Sequence, residues 1–362
     1  MQEPHERDAL FRQPPYSRGG GWRRTVFRDL LLDLTRHHAA RCPGYARMLD
    51  GTAARTSPQT GLADVPFVPA GLFKRLDLVS VEPREIVRTL YSSGTSGGAR
   101  ARIHLDRATA LLQMRALGAI VSDLVGRDRL PLLVVDAADE VPAGGEVAGR
   151  AVALQGFRLF ASEVAFALGP DMRPDPEAIE SFLRRVAGRR FLVFGFTGIV
   201  WRRLLGWMEA NDRTWDMGGG ILVHGGGRKS GDGDPVTDEA FRALAAARAN
   251  LTRVHNYYGM VEQAGSIFVQ CERGMLHCSS FSDVVVRRPC DLAEAPVGEP
   301  GIVQVLSVLP QSYPGHSLLT EDEGVVHGED DCGCGRRGKR FSVLGRLAAA
   351  APKGCGNDDA RA

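Results

Sequence analysis

Hydroxyls and glycines alternate in Tyr91-Ser92-Ser93-Gly94-Thr95-Ser96-Gly97-Gly98, directly after a stretch that reads as a strand. Glycine permits positive φ and close backbone approach, and interleaved hydroxyls and free amides suit phosphate oxygens. The G-x-x-x-x-G-K-[ST] spacing of a Walker A loop is absent. The run is therefore a phosphate cradle of another build or an ordinary surface turn. Gly94-Thr95-Ser96-Gly97-Gly98 also fits the nucleophile elbow G-x-S-x-G, and His224-Gly225-Gly226-Gly227 fits the oxyanion loop of lipases. A serine hydrolase would join the two. In that fold, however, the oxyanion loop lies upstream of the nucleophile, and here it lies far downstream.

A second group of residues suits a metal. Cys332-Gly333-Cys334-Gly335 places two thiols one residue apart, with glycines to let the chain turn so that both face one ion. Upstream stand Cys271, His277 and Cys278. Three sulfurs and one imidazole make a closed tetrahedral structural zinc site. Spacing does not choose between Cys271 and Cys278, and two unrelated pairs of reduced thiols remain the competing reading. Cys355 sits between Gly354 and Gly356 beside Lys353, whose charge favours the thiolate. An incidental cysteine is the plainer alternative there, as a surface carboxylate is for Glu262.

The chain that must position these groups has 362 residues, 44% of them apolar and 24% charged. That is enough for one large domain with a substantial core or for two ordinary ones. A net charge of +2 gives no reason to expect nucleic-acid or membrane binding. No apolar run reaches the ~20 residues of a membrane span. The charged first residues lack the apolar core of a secretory signal, so a cytoplasmic location is expected. Seven cysteines, an odd number, do not suggest a disulfide framework.

Helical spacing is expected over 24–41, 106–124 and 176–186. Short apolar runs at 86–91, 130–136, 191–196, 221–223 and 253–258 read as strands, buried ones from 130 onward. After residue 283 the pattern turns β-rich. The fold class is therefore α/β, layered sheets and helices with a small β subdomain over about 283–345. The expected organisation is a loosely ordered arm over 1–22, a large domain over 23–347 and a mobile tail over 348–362.

Several segments together resemble the adenylate-forming superfamily. Ser92-Ser93-Gly94-Thr95-Ser96-Gly97 is similar to its phosphate loop, and Tyr258-Gly259-Met260-Val261-Glu262 to its aromatic-Gly-x-Thr-Glu signature. Leu319-Thr320-Glu321-Asp322 resembles the segment whose aspartate holds the ribose, and Leu344-Gly345-Arg346 the Gly-Arg that ends the large domain. The closer resemblance is to the acyl-protein synthetases of bioluminescence operons (LuxE-type). It is carried by Pro14-Pro15-Tyr16, His37-His38-Ala39-Ala40-Arg41-Cys42-Pro43, Pro66-Phe67-Val68-Pro69, Leu72-Phe73-Lys74, Phe194-Gly195-Phe196-Thr197, His224-Gly225-Gly226-Gly227 and the run from Lys339 to Arg346.

The resemblance implies ATP-dependent activation of a fatty or aromatic carboxylic acid to an acyl-adenylate, followed by transfer to a thiol. Ser92, Ser93, Thr95 and Ser96, with Gly94 and Gly97, would hold the β- and γ-phosphates. Glu262 would hold Mg²⁺ and Gly225, Gly226 and Gly227 would face the adenine. Tyr258, followed by Gly259, would stack on the adenine or flank it. Asp322 would take the ribose hydroxyls, with Arg346 close by. Val261 departs from the family's Thr. The phenylacetate-CoA ligase branch carries its zinc on residues that correspond to Cys271, His277, Cys332 and Cys334. The family's C-terminal lid is expected to be absent or vestigial. In the LuxE branch a cysteine at the distance of Cys355 takes the acyl group, and transfer to Cys355 and then to a reductase, acyltransferase or carrier protein is the expectation here. A lidless coenzyme A ligase and a non-catalytic nucleotide- or acyl-binding partner are the alternatives.

Overall fold

A computed structural model of the chain describes residues 8–51, 60–92, 99–138, 147–226 and 236–347. These hold strands β1 (Val68–Pro69), β2 (Ile86–Tyr91), β3 (Arg102–Asp106), β4 (Leu130–Ala137), β5 (Val147–Ala148), β6 (Ala161–Leu168), β7 (Phe191–Phe196), β8 (Gly220–Gly225), β9 (Val254–Tyr258), β10 (Phe268–Gln270), β11 (Leu276–His277), β12 (Ser282–Arg287), β13 (Pro300–Ser307), β14 (Ser317–Glu329) and β15 (Lys339–Arg346). One sheet runs β12-β13-β14-β15-β11-β10-β9-β8-β7-β4-β6, with β1 added beside β14. A second, small sheet runs β3-β2-β5.

The large sheet changes character part-way. From β6 through β4, β7 and β8 to β9 the strands are parallel. From β9 through β10, β11 and β15 to β14, β13 and β12 they are antiparallel. Strands β4 and β8 are buried along their whole length, as strands covered by helices on both faces must be. One core cluster gathers Leu132, Leu192, Phe194 and Ile221 with Leu31 and Ile120 from helices. Another gathers Leu133, Val193 and Leu222 with Phe182 and Phe241. The two clusters lie on opposite faces of the sheet, because strand residues alternate sides.

Local signals set the helices. Asp106 caps Arg107–Val125 by accepting the Thr109 amide, and Asp175 caps Pro176–Arg185 through Ala178. The helix expected over 24–41 starts earlier, with an α turn at Gly20–Trp22, passes through a π turn at Arg23–Phe27 and continues as an α-helix over Arg28–Arg41. The helix Arg107–Val125 is, by length and composition, apolar enough to cross a membrane, although Arg115 lies in its middle. Its Ala116, Ile120, Val121 and Val125 are buried against the core.

The loosely ordered arm expected over 1–22 is instead packed from Asp8 onward. Leu10 and Tyr16 are buried, Phe11 stacks on Phe281, and the Ser280 amide donates to the Pro15 carbonyl at 2.6 Å. Apolar side chains between charged ones make little local periodicity, but they fill a gap beside β12. The β-rich stretch from residue 283 supplies β12 to β15, which continue the same sheet as the parallel strands.

Candidate active site and cysteine–histidine cluster

Parallel strands present their carboxyl ends on one side of a sheet, and ligands of open α/β sheets bind there. Three strands deliver aromatic and glycine residues to that edge: β7 ends at Phe196, β8 at Gly225 and β9 at Tyr258. Gly225 pairs with Tyr257, whose ring occupies the space a Cβ would need. Gly226 has φ +86°, and a Cβ there would come within 2.6 Å of the Phe196 ring. Both positions therefore demand glycine. At Gly259 a Cβ would meet the Ile267 side chain at 3.0 Å.

Tyr258 reaches across to β14 and donates its hydroxyl to Asp322 Oδ2 at 2.7 Å. Strand pairing sets Asp322 opposite Arg346 on β15, with 3.8 Å between Arg346 Nε and Asp322 Oδ1 and 3.7 Å between Arg346 Nη1 and Glu321 Oε2. Thr320 steadies this turn of chain, accepting the Asp322 amide at 3.1 Å and donating to the Val303 carbonyl at 2.7 Å. Burial raises the Asp322 carboxyl above the ordinary range, against the hydrogen bond from Tyr258 and the charge of Arg346. Burial, and next the Asp322 charge, push the Tyr258 hydroxyl well up, so it stays a donor.

Glu262 lies on a 3-10 turn, Val261–Gln263, directly after β9. Its side chain is buried, and burial raises its carboxyl, with the charge of Lys74 pulling the other way and that of Glu321 adding to the rise. The turn is held by groups that the sequence did not single out. Tyr313 donates its hydroxyl to the Glu262 carbonyl at 2.8 Å and accepts from Gln113 at 3.2 Å. Gln263 donates to the Val305 and Gly315 carbonyls at 3.1 and 2.8 Å. The signal for this support is the turn-rich run Pro310-Gln311-Ser312-Tyr313-Pro314-Gly315, which reads only as a loop until its partner is known. Val261 packs against the apolar cluster around Phe268.

At the neck of the glycine-rich run, the Ser92 hydroxyl accepts the Ala101 amide at 2.9 Å while the Ser92 amide donates to the Ala101 carbonyl at 3.1 Å. Ser93, Gly94, Thr95, Ser96, Gly97, Gly227 and Cys355 lie outside the described residues.

A separate group forms where β10, β11 and the loop before β15 meet. The ligand atoms of Cys271, His277, Cys332 and Cys334 all lie within 4.8 Å of one another. Cys271 and Cys332 sulfurs are 4.0 Å apart, and Cys334 Sγ is 3.4 Å from His277 Nε2. The Arg273 and Arg336 amides point at the sulfurs of Cys271 and Cys334, at 3.4 and 3.5 Å. Burial pushes the Cys334 thiol up to about 12 and the His277 imidazole down to about 4. Cys278 stays out of this group: it is buried beside Asp283, and burial raises its thiol well above the ordinary value.

The family described as acyl-protein synthetase, LuxE, matches residues 5–361. The chain belongs to that family. No curated protein matches it. Among solved structures it is similar to 2-hydroxyisobutyryl-CoA ligase in the postadenylation state with 2-HIB-AMP, with a TM-score of 0.69 at 16% identity over 92% of this chain and 70% of that one. An open conformation of the same ligase, with 2-HIB-AMP and CoA, gives 0.67 at 16% identity over 92% and 76%. ATP-bound MatB from Rhodopseudomonas palustris gives 0.50 at 17% identity, over 74% of this chain and 49% of that one. The fold is that of the large N-terminal part of adenylate-forming ligases.

Proposed function

We propose that this protein activates a carboxylic acid with ATP, releasing pyrophosphate, and passes the acyl group from the adenylate to a thiol, Cys355. From there it would go to a reductase, acyltransferase or carrier protein. The observation that carries this reading is the hydrogen bond from Tyr258 to Asp322, made beside Arg346 and Glu262 at the carboxyl edge of the parallel strands. Asp322 keeps one oxygen for ribose hydroxyls while Tyr258 fixes the other. Glu262 supplies the hard oxygen that Mg²⁺ prefers, and the ion would supply charge neutralisation at the phosphates. Adenylation needs little covalent work from the protein, so positioning and charge decide its rate. Gly225 and Gly226 leave backbone and flat aromatic faces for the base.

Acid-dependent exchange of pyrophosphate into ATP tests the activation. Its absence would leave a non-catalytic binding partner, and ATP-independent ester cleavage would point to the hydrolase reading. For the transfer, radioactive acid should label the protein, and Cys355→Ala should abolish labelling while exchange continues. A thioester found on coenzyme A instead would favour the ligase alternative.

The cysteine–histidine group supports a structural zinc. Two of its separations, 4.0 Å between the Cys271 and Cys332 sulfurs and 3.4 Å between Cys334 Sγ and His277 Nε2, are close to the edges of a tetrahedron with Zn–S of about 2.3 Å and Zn–N of about 2.0 Å. Amides aimed at sulfur stabilise thiolates, and a cation would offset the effect of burial that raises the Cys334 thiol. One equivalent of zinc in purified protein, lost in Cys332→Ser, is expected. A metal-free protein of unchanged stability would refute it.

A further inference from the structure

Only four of the chain's 45 basic side chains are lysines: Lys74, Lys229, Lys339 and Lys353. Arginine supplies the other 41, and a lysine differs from it in offering a compact, mobile ammonium in place of a planar fork. Lys339 is a structural group, donating to the Val284 carbonyl at 2.7 Å and lying 3.6 Å from Asp283 and 3.8 Å from Glu294. Lys74 has no such partners among the described residues. It ends the 3-10 helix Ala70–Lys74, is half-buried, and makes no hydrogen bond or ion pair among the described residues.

Its position is fixed by the fold. Strand β1 pairs in parallel with β14, Val68 beside Leu318 and Pro69 beside Leu319. The helix that follows then lies along the strand that carries Thr320, Glu321 and Asp322. A cleft of about 310 Å³ separates the two, with Gly71 and Lys74 on one wall and Thr320 and Glu321 on the other. The ammonium is close enough to Glu262 to oppose the effect of burial on its carboxyl. A half-buried cation that no described residue pairs, near Glu262 and Glu321, is poised for an anion that arrives from outside.

We propose that Lys74 is a catalytic residue whose ammonium contacts the phosphoryl group under attack. This rests on the adenylation reading above. In that step a carboxylate oxygen of the acid forms a bond to the α-phosphorus of ATP. The bond from that phosphorus to the bridging oxygen breaks, and its electron pair leaves on pyrophosphate. No proton moves, and the Lys74 ammonium offsets charge gathering on the α-phosphoryl oxygens.

The test compares wild-type protein with Lys74→Met, Lys74→Gln and Lys74→Arg. Exchange is driven by straight-chain fatty acids and substituted benzoates. ATP affinity and acyl transfer to thiol from the chemically prepared adenylate of the best acid are measured alongside. Loss of one preorganised charge is expected to lower exchange turnover by about 100-fold in Lys74→Met and Lys74→Gln. Transfer from the prepared adenylate should stay within about threefold, because no phosphoryl charge builds in that step. Lys74→Arg should recover part of the exchange, and so should ethylammonium added to Lys74→Gln. Unchanged exchange in the neutral variants, with wild type active, overturns the role of Lys74 alone, and so does an equal loss of exchange and transfer. No exchange by wild type with any acid overturns the adenylation reading, and the role of Lys74 with it.

Discussion

Asp283 and Glu262 are carboxylates taken almost wholly out of water, at 0% and 6% exposure, yet their protonation moves in opposite directions. Burial alone would raise both. Around Asp283 the fold answers with Lys339 and with Arg23 at 3.2 Å, adding the Val284 amide at 2.7 Å, and the carboxyl falls below its ordinary range. Arg23 also donates to the carbonyls of Cys278, Ser279 and Ser282. Around Glu262 the cations stay at a distance, and the carboxyl rises. A buried charge network that only holds the fold must satisfy its members. One that is to receive a charged ligand keeps capacity unused, at some cost to stability. The contrast sets the proposed site apart without reference to any motif.

The largest effect that could break this comparison is at Asp283. Asp283→Ala would strand the buried Arg23 and leave Lys339 with Glu294 alone at 3.8 Å, and a loss of about 3–5 kcal/mol is expected in urea or thermal unfolding. Unchanged stability would mean the two regions do not differ. Glu262→Gln should do the reverse. Its stability should hold within about 1 kcal/mol, while acid-dependent exchange falls by about 100-fold. The pH dependence sharpens the point. A folded-state pKa above the unfolded one means the native protein holds the extra proton. Without ligand, stability should therefore fall as pH rises from the ordinary carboxylate value through the raised value of Glu262. Glu262→Gln should flatten that fall, read as the pH profile of unfolding. The smallest effect is at Tyr258. Tyr258→Phe removes one hydrogen bond to Asp322, worth about 1 kcal/mol or roughly a fivefold rise in KM for ATP.

The strands that carry the site were legible because their composition allows little else. Runs such as Leu132-Leu133-Val134-Val135 and Phe191-Leu192-Val193-Phe194 are apolar on both faces, as the middle of a covered parallel sheet requires. Strand β6 was not legible. It closes the end of the sheet, and its middle, Glu163 to Phe166, is only partly buried. The helix Asp238–Ala249 was missed for a related reason: its buried face is Phe241, Ala245 and Ala249, and alanines leave a faint period.

By itself the sequence determined which chemical groups are available: the hydroxyl-glycine run, the Tyr-Gly-x-x-Glu turn, the Thr-Glu-Asp segment, the Cys-x-Cys pair and a scarce set of four lysines that includes Lys74. Tertiary structure decided which of them meet. Tyr258 and Asp322 lie 64 residues apart, and only the order of strands in the sheet brings them to hydrogen-bonding distance. The antiparallel register of β14 and β15 then sets Asp322 across from Arg346. Spacing left Cys271 and Cys278 equivalent as partners for His277. The sheet does not, because neighbouring residues of an extended chain point to opposite sides, and His277 turns toward Cys334 while Cys278 turns toward Asp283. Local pattern records which face of an element is apolar. It carries no record of which distant element will lie against that face, and that pairing places the charges.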